Sequence, residues 1–216
     1  MSLPRQLQRA QAIERYLASH RVPKLQIGCG ENALAGWLNT DLRPAGAQVS
    51  FLDATVRFPF ADAVFDYVLS EHQIEHISWD RGQFMLGECF RVLRPGGLIR
   101  IATPSLEVLA GLVTPNPTEA QRRYIDFISE SYLGPAMPFG VAGVVNNAFR
   151  NWGHQFIYDR ATLLAGLATA GFVEASFTRP GHSAHEHLRG VEGHGDFLGD
   201  DETNQFETMV VEARRP

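Results

Sequence analysis

Two glycines one residue apart, in the run Gly28-Cys29-Gly30-Glu31-Asn32-Ala33, let a ligand come close to bare backbone. The run fits the loose pattern G-x-G-x-x-G/A, which a tight turn with no ligand also satisfies. The next acid in a telling place is Asp41, in Trp37-Leu38-Asn39-Thr40-Asp41-Leu42. A carboxylate at a strand end can accept two hydroxyl hydrogen bonds. Asp41 lies thirteen residues after Gly28, short of the roughly 20 of a dinucleotide site. Asp53-Ala54, Ser70 and His72-Gln73-Ile74-Glu75-His76 follow later apolar runs, and His154 stands in Trp152-Gly153-His154. An imidazole titrates near neutral pH and can take a proton from an oxygen or nitrogen nucleophile. His72 and His154 are therefore the candidate catalytic bases.

Periodicity supplies the elements that would hold these groups. Leu3, Leu7, Ala10, Ile13 and Leu17 recur at helical spacing, so 1–22 reads as an N-terminal helix ended by Arg21-Val22-Pro23. Runs at 24–27, 49–52, 65–69 and 98–102 read as buried strands. Asp80 with Gln83 resembles a capping box opening a helix whose buried stripe is Met85, Cys89, Val92 and Leu93. Arg94-Pro95-Gly96-Gly97 stops it. Thr118 with Gln121 is a second capping box, and Asp159 caps a helix ended by Gly171. Residues 172–177 and 206–211 alternate as strands do. Residues 134–153 and 179–205 show no clean period. Strands alternating with helices predict a parallel sheet with ligands at the strands' carboxyl ends.

The 216 residues, 24.0 kDa, predict one domain over 1–216 with a single core. At 44% hydrophobic and 20% charged, the chain is an ordinary globular composition and excludes disordered, coiled-coil and collagen-like classes. A net charge of −5 argues against nucleic acid as partner, which needs a cationic surface. The basic start (Arg5, Arg9, Arg15, Arg21) and an acidic late stretch (Glu192, Asp196, Asp200, Asp201) show that charge is not evenly spread. No apolar run reaches the roughly 18 residues of a membrane span, and the start lacks the apolar region of a secretory signal. Cys29 and Cys89 make no disulfide framework, so a reducing cytoplasm is the expected location.

The ordered set IGCG, NTD, DA, FPF, FDYV, EHI and RVLRPGG with IRI, spanning 24–104, resembles class I S-adenosylmethionine-dependent methyltransferases. It is most similar to the small type-11-like group of bacterial methyltransferases, and more loosely so through WGHQFIYD to the C-terminus. The resemblance implies a Rossmann-like α/β fold: a mostly parallel seven-stranded sheet, an antiparallel last strand, and helices on both faces. It implies S-adenosyl-L-methionine as cofactor. Gly28, Cys29 and Gly30 would pass under its methionine and ribose portions, and Asp41 with Leu42 would meet the ribose. Asp53 and Ala54 would meet the adenine, and Ser70 the methionine moiety. Asn32 stands at the usual third glycine, where its tolerance of positive φ would matter, and the short 31–40 segment implies a reduced or missing first crossover helix.

His72-Gln73-Ile74-Glu75-His76 also matches the bare H-x-x-E-H of inverzincin metalloproteases. It resembles as well the E-x-x-E-H of metal-using O-methyltransferases, with His72 at their first Glu. The expectation is no metal, with His72 facing the cleft and His76 packing beneath the sheet. The histidines at 182, 185, 187 and 194 are expected in a solvated loop. Residues 105–153 and 179–205 are expected to form acceptor-side insertions, with Phe139, Phe149 and Trp152 covering a small-molecule acceptor and Arg150 or Asn146 orienting it. Contacts between subunits of a homodimer are the alternative use of those insertions.

Overall fold

The computed structural model describes residues 3–135 and 139–216, with 3–8 as helix backbone alone. Leu3 and Leu7 of the proposed helical stripe, and residues 136–138 of the proposed insertion, thus lie outside the described side chains. The strands are β1 (Lys24–Ile27), β2 (Leu38–Asp41), β3 (Val49–Phe51), β4 (Phe65–Glu71), β5 (Leu93–Pro104), β6 (Val173–Thr178) and β7 (Thr208–Arg214). They form one sheet ordered β3-β2-β1-β4-β5-β7-β6. β7 is antiparallel to β5 and β6, and the remaining pairs are parallel. The order reverses between β1 and β4, where Leu25 pairs with Val68 and Ile27 with Ser70. That reversal is the switch point outside which such sheets bind ligands. The architecture is the Rossmann-like fold expected, antiparallel last strand included.

The helices are α1 (Leu3–Ser19), α2 (Trp79–Val92), α3 (Leu106–Gly111), α4 (Glu119–Tyr132), α5 (Val141–Arg150), α6 (Arg160–Ala170), α7 (His194–Leu198) and α8 (Asp201–Glu207). Strand alternation gives the sheet two unlike faces. Leu25, Ile27, Val68, Ile99, Ile101 and Val211 point to one face and pack on Met85, Leu86 and Cys89 of α2 and Leu163 and Leu167 of α6. Each such buried side chain stabilises the fold by about 1.5–3 kcal/mol. Gln26, Asn39, Leu69, Glu71, Arg100 and Glu212 alternate with them and so occupy the other face.

No helix lies in the crossover 28–37, as its length implied. Side chains hold it instead. Gln26 Nε2 donates to the Asn32 carbonyl at 2.9 Å, and Asn39 exchanges hydrogen bonds with the Leu34 backbone at 3.0 Å each. Leu188, in the single 3-10 turn Glu186–Leu188, and Val191 then close over this face with Trp37, Leu69 and Leu98.

Several boundaries differ from the sequence expectation. α2 starts at Trp79 after Ser78, whose hydroxyl bonds the Asp80 carboxylate, so the Asp80–Gln83 box does not form. The helix stops at Val92, one residue short of the Leu93 expected in its stripe, and β5 begins at once, because Gly96 and Gly97 pair with the Arg215 backbone. A Cβ on Gly97 would lie 2.9 Å from the Arg94 carbonyl oxygen, so only glycine fits there. The irregular 134–153 contains α5, and 179–205 contains α7 and α8. The Thr118–Gln121 capping box is present with both bonds, and Asp159 and a left-handed Gly171 bound α6 as read. The C-terminal strands lie one to three residues later than read. No described helix is long and apolar enough to cross a membrane.

Candidate active site

A cavity of about 650 Å³ opens at the carboxyl ends of β1, β4 and β5. Gly28, Cys29 and Gly30 form its floor, while His72, His76, His154 and His194 stand in its walls. Gly28 and Gly30 have φ of +68° and +50°, a conformation that favours glycine. A Cβ on Gly30 would meet no atom within 4 Å, so the loop is open there; one on Gly28 would lie 2.4 Å from Gln73 Cγ. Gln73 thus covers Gly28. Burial beside Asp41 pushes the Cys29 thiol up to about 11, which leaves it unreactive.

The other expected cofactor residues stand around the cavity but not in its lining. Asp41 Oδ2 accepts from the Gly30 N–H at 2.9 Å and Oδ1 from the Arg43 N–H at 2.7 Å. Its carboxylate therefore shapes the glycine loop while keeping lone pairs for another donor. Leu42 is exposed and Ala54 is in the core. Asp53 closes its own turn on Thr55. Ser70 is wholly buried and donates to Gln73 at 3.4 Å. Asn32 does not use positive φ; its amide donates to Glu71 and to the Val191 carbonyl instead.

His72 faces the cavity as expected, from a left-handed backbone with φ of +43°. Its Nε2 lies 3.0 Å from the Thr208 hydroxyl, which itself donates to Asn204 Oδ1 at 2.8 Å. Its Nδ1 lies 3.3 Å from Glu75. Burial disfavours a charge on this ring, but the Glu75, Glu207 and Glu71 carboxylates outweigh it and the pKa is raised. Glu75 is wholly buried, which disfavours its charge, yet His72 holds its pKa below the usual value. Its other oxygen accepts from Thr103 at 3.0 Å.

His194 stacks on His72 with ring centroids 3.6 Å apart. Burial, and then the His72 charge, push its pKa down to about 3, so it is neutral near pH 7. It lies 3.9 Å from Glu207, whose carboxyl burial pushes up and which accepts from the Tyr124 hydroxyl at 2.5 Å. His154 Nδ1 meets the Ala148 carbonyl at 2.6 Å, which fixes its proton there and leaves a lone pair on Nε2; burial lowers its pKa. His76 meets His154 edge-on at 4.8 Å and lines the cavity, correcting its expected place beneath the sheet.

Two sets have ligand atoms within 4.8 Å of one another: His72, His194 and Glu207, and Glu75, His76 and His154. In the second set Glu75 Oε2 accepts from Thr103, while its Oε1, 3.3 Å from His72 Nδ1, has no hydrogen-bond partner.

Of the four late histidines only His194 enters the cavity, and it is not in a solvated loop. Asn146 and Arg150 lie on the exposed side of α5, and neither they nor Phe139 and Phe149 line the cavity; Trp152 does. Glu71, His194 and Glu207 escaped sequence reasoning. Glu71 accepts from the Gly193 and His194 N–H groups at 2.9 Å, tying β4 to a segment over a hundred residues away. Only its place next to His72 hinted at that.

Residues 25–101 match the family model described as a methyltransferase domain. Forty-seven residues are 51% identical to a protein of Mycolicibacterium smegmatis named a probable S-adenosylmethionine-dependent methyltransferase. That likeness spans 22% of this chain and only 18% of the relative. A structure from the Haloferax volcanii complex of the Trm112 methyltransferase activator and a methyltransferase is similar at 14% identity and a TM-score of 0.51. It covers 98% of this chain and 91% of that one. An S-adenosylmethionine-dependent methyltransferase from Archaeoglobus fulgidus is similar at 16% identity and a TM-score of 0.50, over 97% and 94%. At such identities the two structures share the fold.

Proposed function

We propose that this chain transfers the sulfonium methyl group of S-adenosyl-L-methionine to a small or medium acceptor by in-line displacement. The observation that carries the reading is one cavity joining the positive-φ glycine loop to a cluster of imidazoles. Gly28, Cys29 and Gly30 would bed the methionine and ribose portions, with Asp41 taking the ribose hydroxyls on its free lone pairs. Leu42, Asp53 and Ala54 would complete the adenosine side and Ser70 the methionine side, and Gln73 would swing off Gly28. Bound there, the cofactor supplies an electrophilic methyl group. The chain's own work is to align the nucleophile, exclude water and take its proton. His72, with its pKa raised by the surrounding carboxylates, would orient the acceptor. His154, with its Nε2 lone pair, would be the base. We read 1–216 as one cytoplasmic, metal-independent domain whose 105–153 and 179–205 segments make the acceptor side. A homodimer is compatible with this reading.

Calorimetry with S-adenosylhomocysteine should show one site per chain, weakened about 1.5–3 kcal/mol by Asp41→Ala. No binding by the native chain sinks the reading. Binding without cofactor turnover in a cell extract favours a silent cofactor-binding scaffold. Chelator treatment should leave affinity and turnover intact; stoichiometric metal whose removal stops turnover would promote Glu75, His76 and His154 to ligands.

A further inference from the structure

The cavity has a one-sided chemistry. Among the described residues that line it there is no Lys and no Arg; beside Cys29 and Tyr132 its ionisable groups are four carboxylates, Glu31, Glu71, Asp196 and Glu207, and four imidazoles. Glu71 is spent on the Gly193 and His194 N–H groups, and Glu31 stands on the glycine loop. Asp196 and Glu207 are left for the far end. His72 is set against Glu75 at 3.3 Å. An acceptor bearing phosphate or carboxylate would enter with no free cation to meet it, and desolvating an unpaired anion is costly.

Two rows of rings flank the same space. Phe197 stacks near His194 at 5.7 Å, and His194 on His72 at 3.6 Å. On the other side Tyr132 meets Trp152 at 5.4 Å, Trp152 meets His154 at 5.7 Å, and His154 meets His76 at 4.8 Å. Ring faces and carboxylates together attract a cation.

We propose that the acceptor is a primary or secondary amine, an ammonium in solution, carried on an aromatic or apolar body that lies between the two ring rows, its nitrogen held by Asp196 and Glu207. This rests on the methyl-transfer reading above. The bound ammonium would give one proton to the neutral imidazole of His154 and thence to water. The freed nitrogen lone pair forms the C–N bond as the methyl C–S bond breaks, and that electron pair stays on sulfur. The products are the methylated ammonium and the neutral thioether S-adenosylhomocysteine.

Phenethylamine, phenethyl alcohol and phenylacetate share a body and differ in head group, and each can be titrated into the complex of the full chain with S-adenosylhomocysteine. The amine should bind at least ~tenfold more tightly than either analogue. Glu207→Gln and Asp196→Asn should each reduce that preference without changing S-adenosylhomocysteine affinity. Asp196 is exposed, so its variant keeps the test alive if Glu207→Gln fails to fold. If the alcohol or the carboxylate binds as well as the amine, or if the amine does not bind, the amine inference is overturned while methyl transfer stands. If S-adenosylhomocysteine itself does not bind, the underlying reading fails first.

Discussion

The two faces of the sheet are stabilised by different means. One is apolar and covered by α2 and α6, with Ile99, Ile101 and Val68 wholly buried. The other is covered by loops and a single 3-10 turn, and at its centre Arg100 is wholly buried. Arg100 donates to Glu212, its cross-strand neighbour on β7, and to Glu192 of the covering loop, both at 2.5 Å. The apolar face tolerates any sequence of the right volume. The polar face accepts few sequences, since each buried group needs its partner, and that requirement fixes where the 186–194 segment lands. The site sits on the specified face: Glu71 holds Asn32 of the glycine loop and the backbone of His194 together.

The largest expected effect tests this contrast directly. Arg100→Met strands two carboxylates and should cost about 3–5 kcal/mol in denaturant unfolding. Replacing Arg100, Glu192 and Glu212 together by Met, Leu and Leu should recover most of that loss while weakening S-adenosylhomocysteine binding, because the loop is no longer registered. Recovery of both stability and binding would erase the distinction between the faces.

A smaller effect separates the faces by location. Leu188→Ala and Leu163→Ala each empty a wholly buried site and should cost roughly 2–4 kcal/mol. Only the former should speed hydrogen exchange across 31–37. Equal exchange in the two variants would mean that the crossover does not depend on its late cover.

The third effect is electrostatic. His194 is pushed from 6.5 to about 3, so the unfolded chain takes up its proton first and stability should fall as pH drops from about 6.5 toward 3. Glu75, depressed, adds to that acid loss as pH falls through its folded value. His72, raised, acts oppositely: its contribution is full below 6.5 and fades as pH rises through its folded value. In urea titrations across this range, His194→Gln should flatten the acid decline. An unchanged slope would place the His194 ring in water, off the His72 stack.

What the sequence showed follows the same division. The apolar face was legible, because continuous runs such as 24–27 and 98–102 and the stripe Met85, Cys89 and Val92 are local patterns. Capping at Thr118 and Asp159 was legible for the same reason. α5 was not: its buried stripe, Gly143, Val144, Asn147 and Ala148, is small and partly polar, and its N-cap, Gly140, has no side chain to mark the start. Nor were α7 and α8, at 5 and 7 residues too short for helical period to register. Gly28, Gly30, His72 and His154 were found as lining because motif or neighbour marked them. His194 and Glu207 reach the site through contacts with His72 from the far end of the chain, and no local pattern encodes them.

The missing crossover helix has a consequence for the order of assembly. The glycine loop near residue 30 is braced by Asn32 against Val191, 159 positions later. A chain emerging from the ribosome would form its apolar face from α2 and the early strands long before that brace is made. The cleft would stay unclosed until residues 191–194 are available, so ligand competence follows formation of the apolar face.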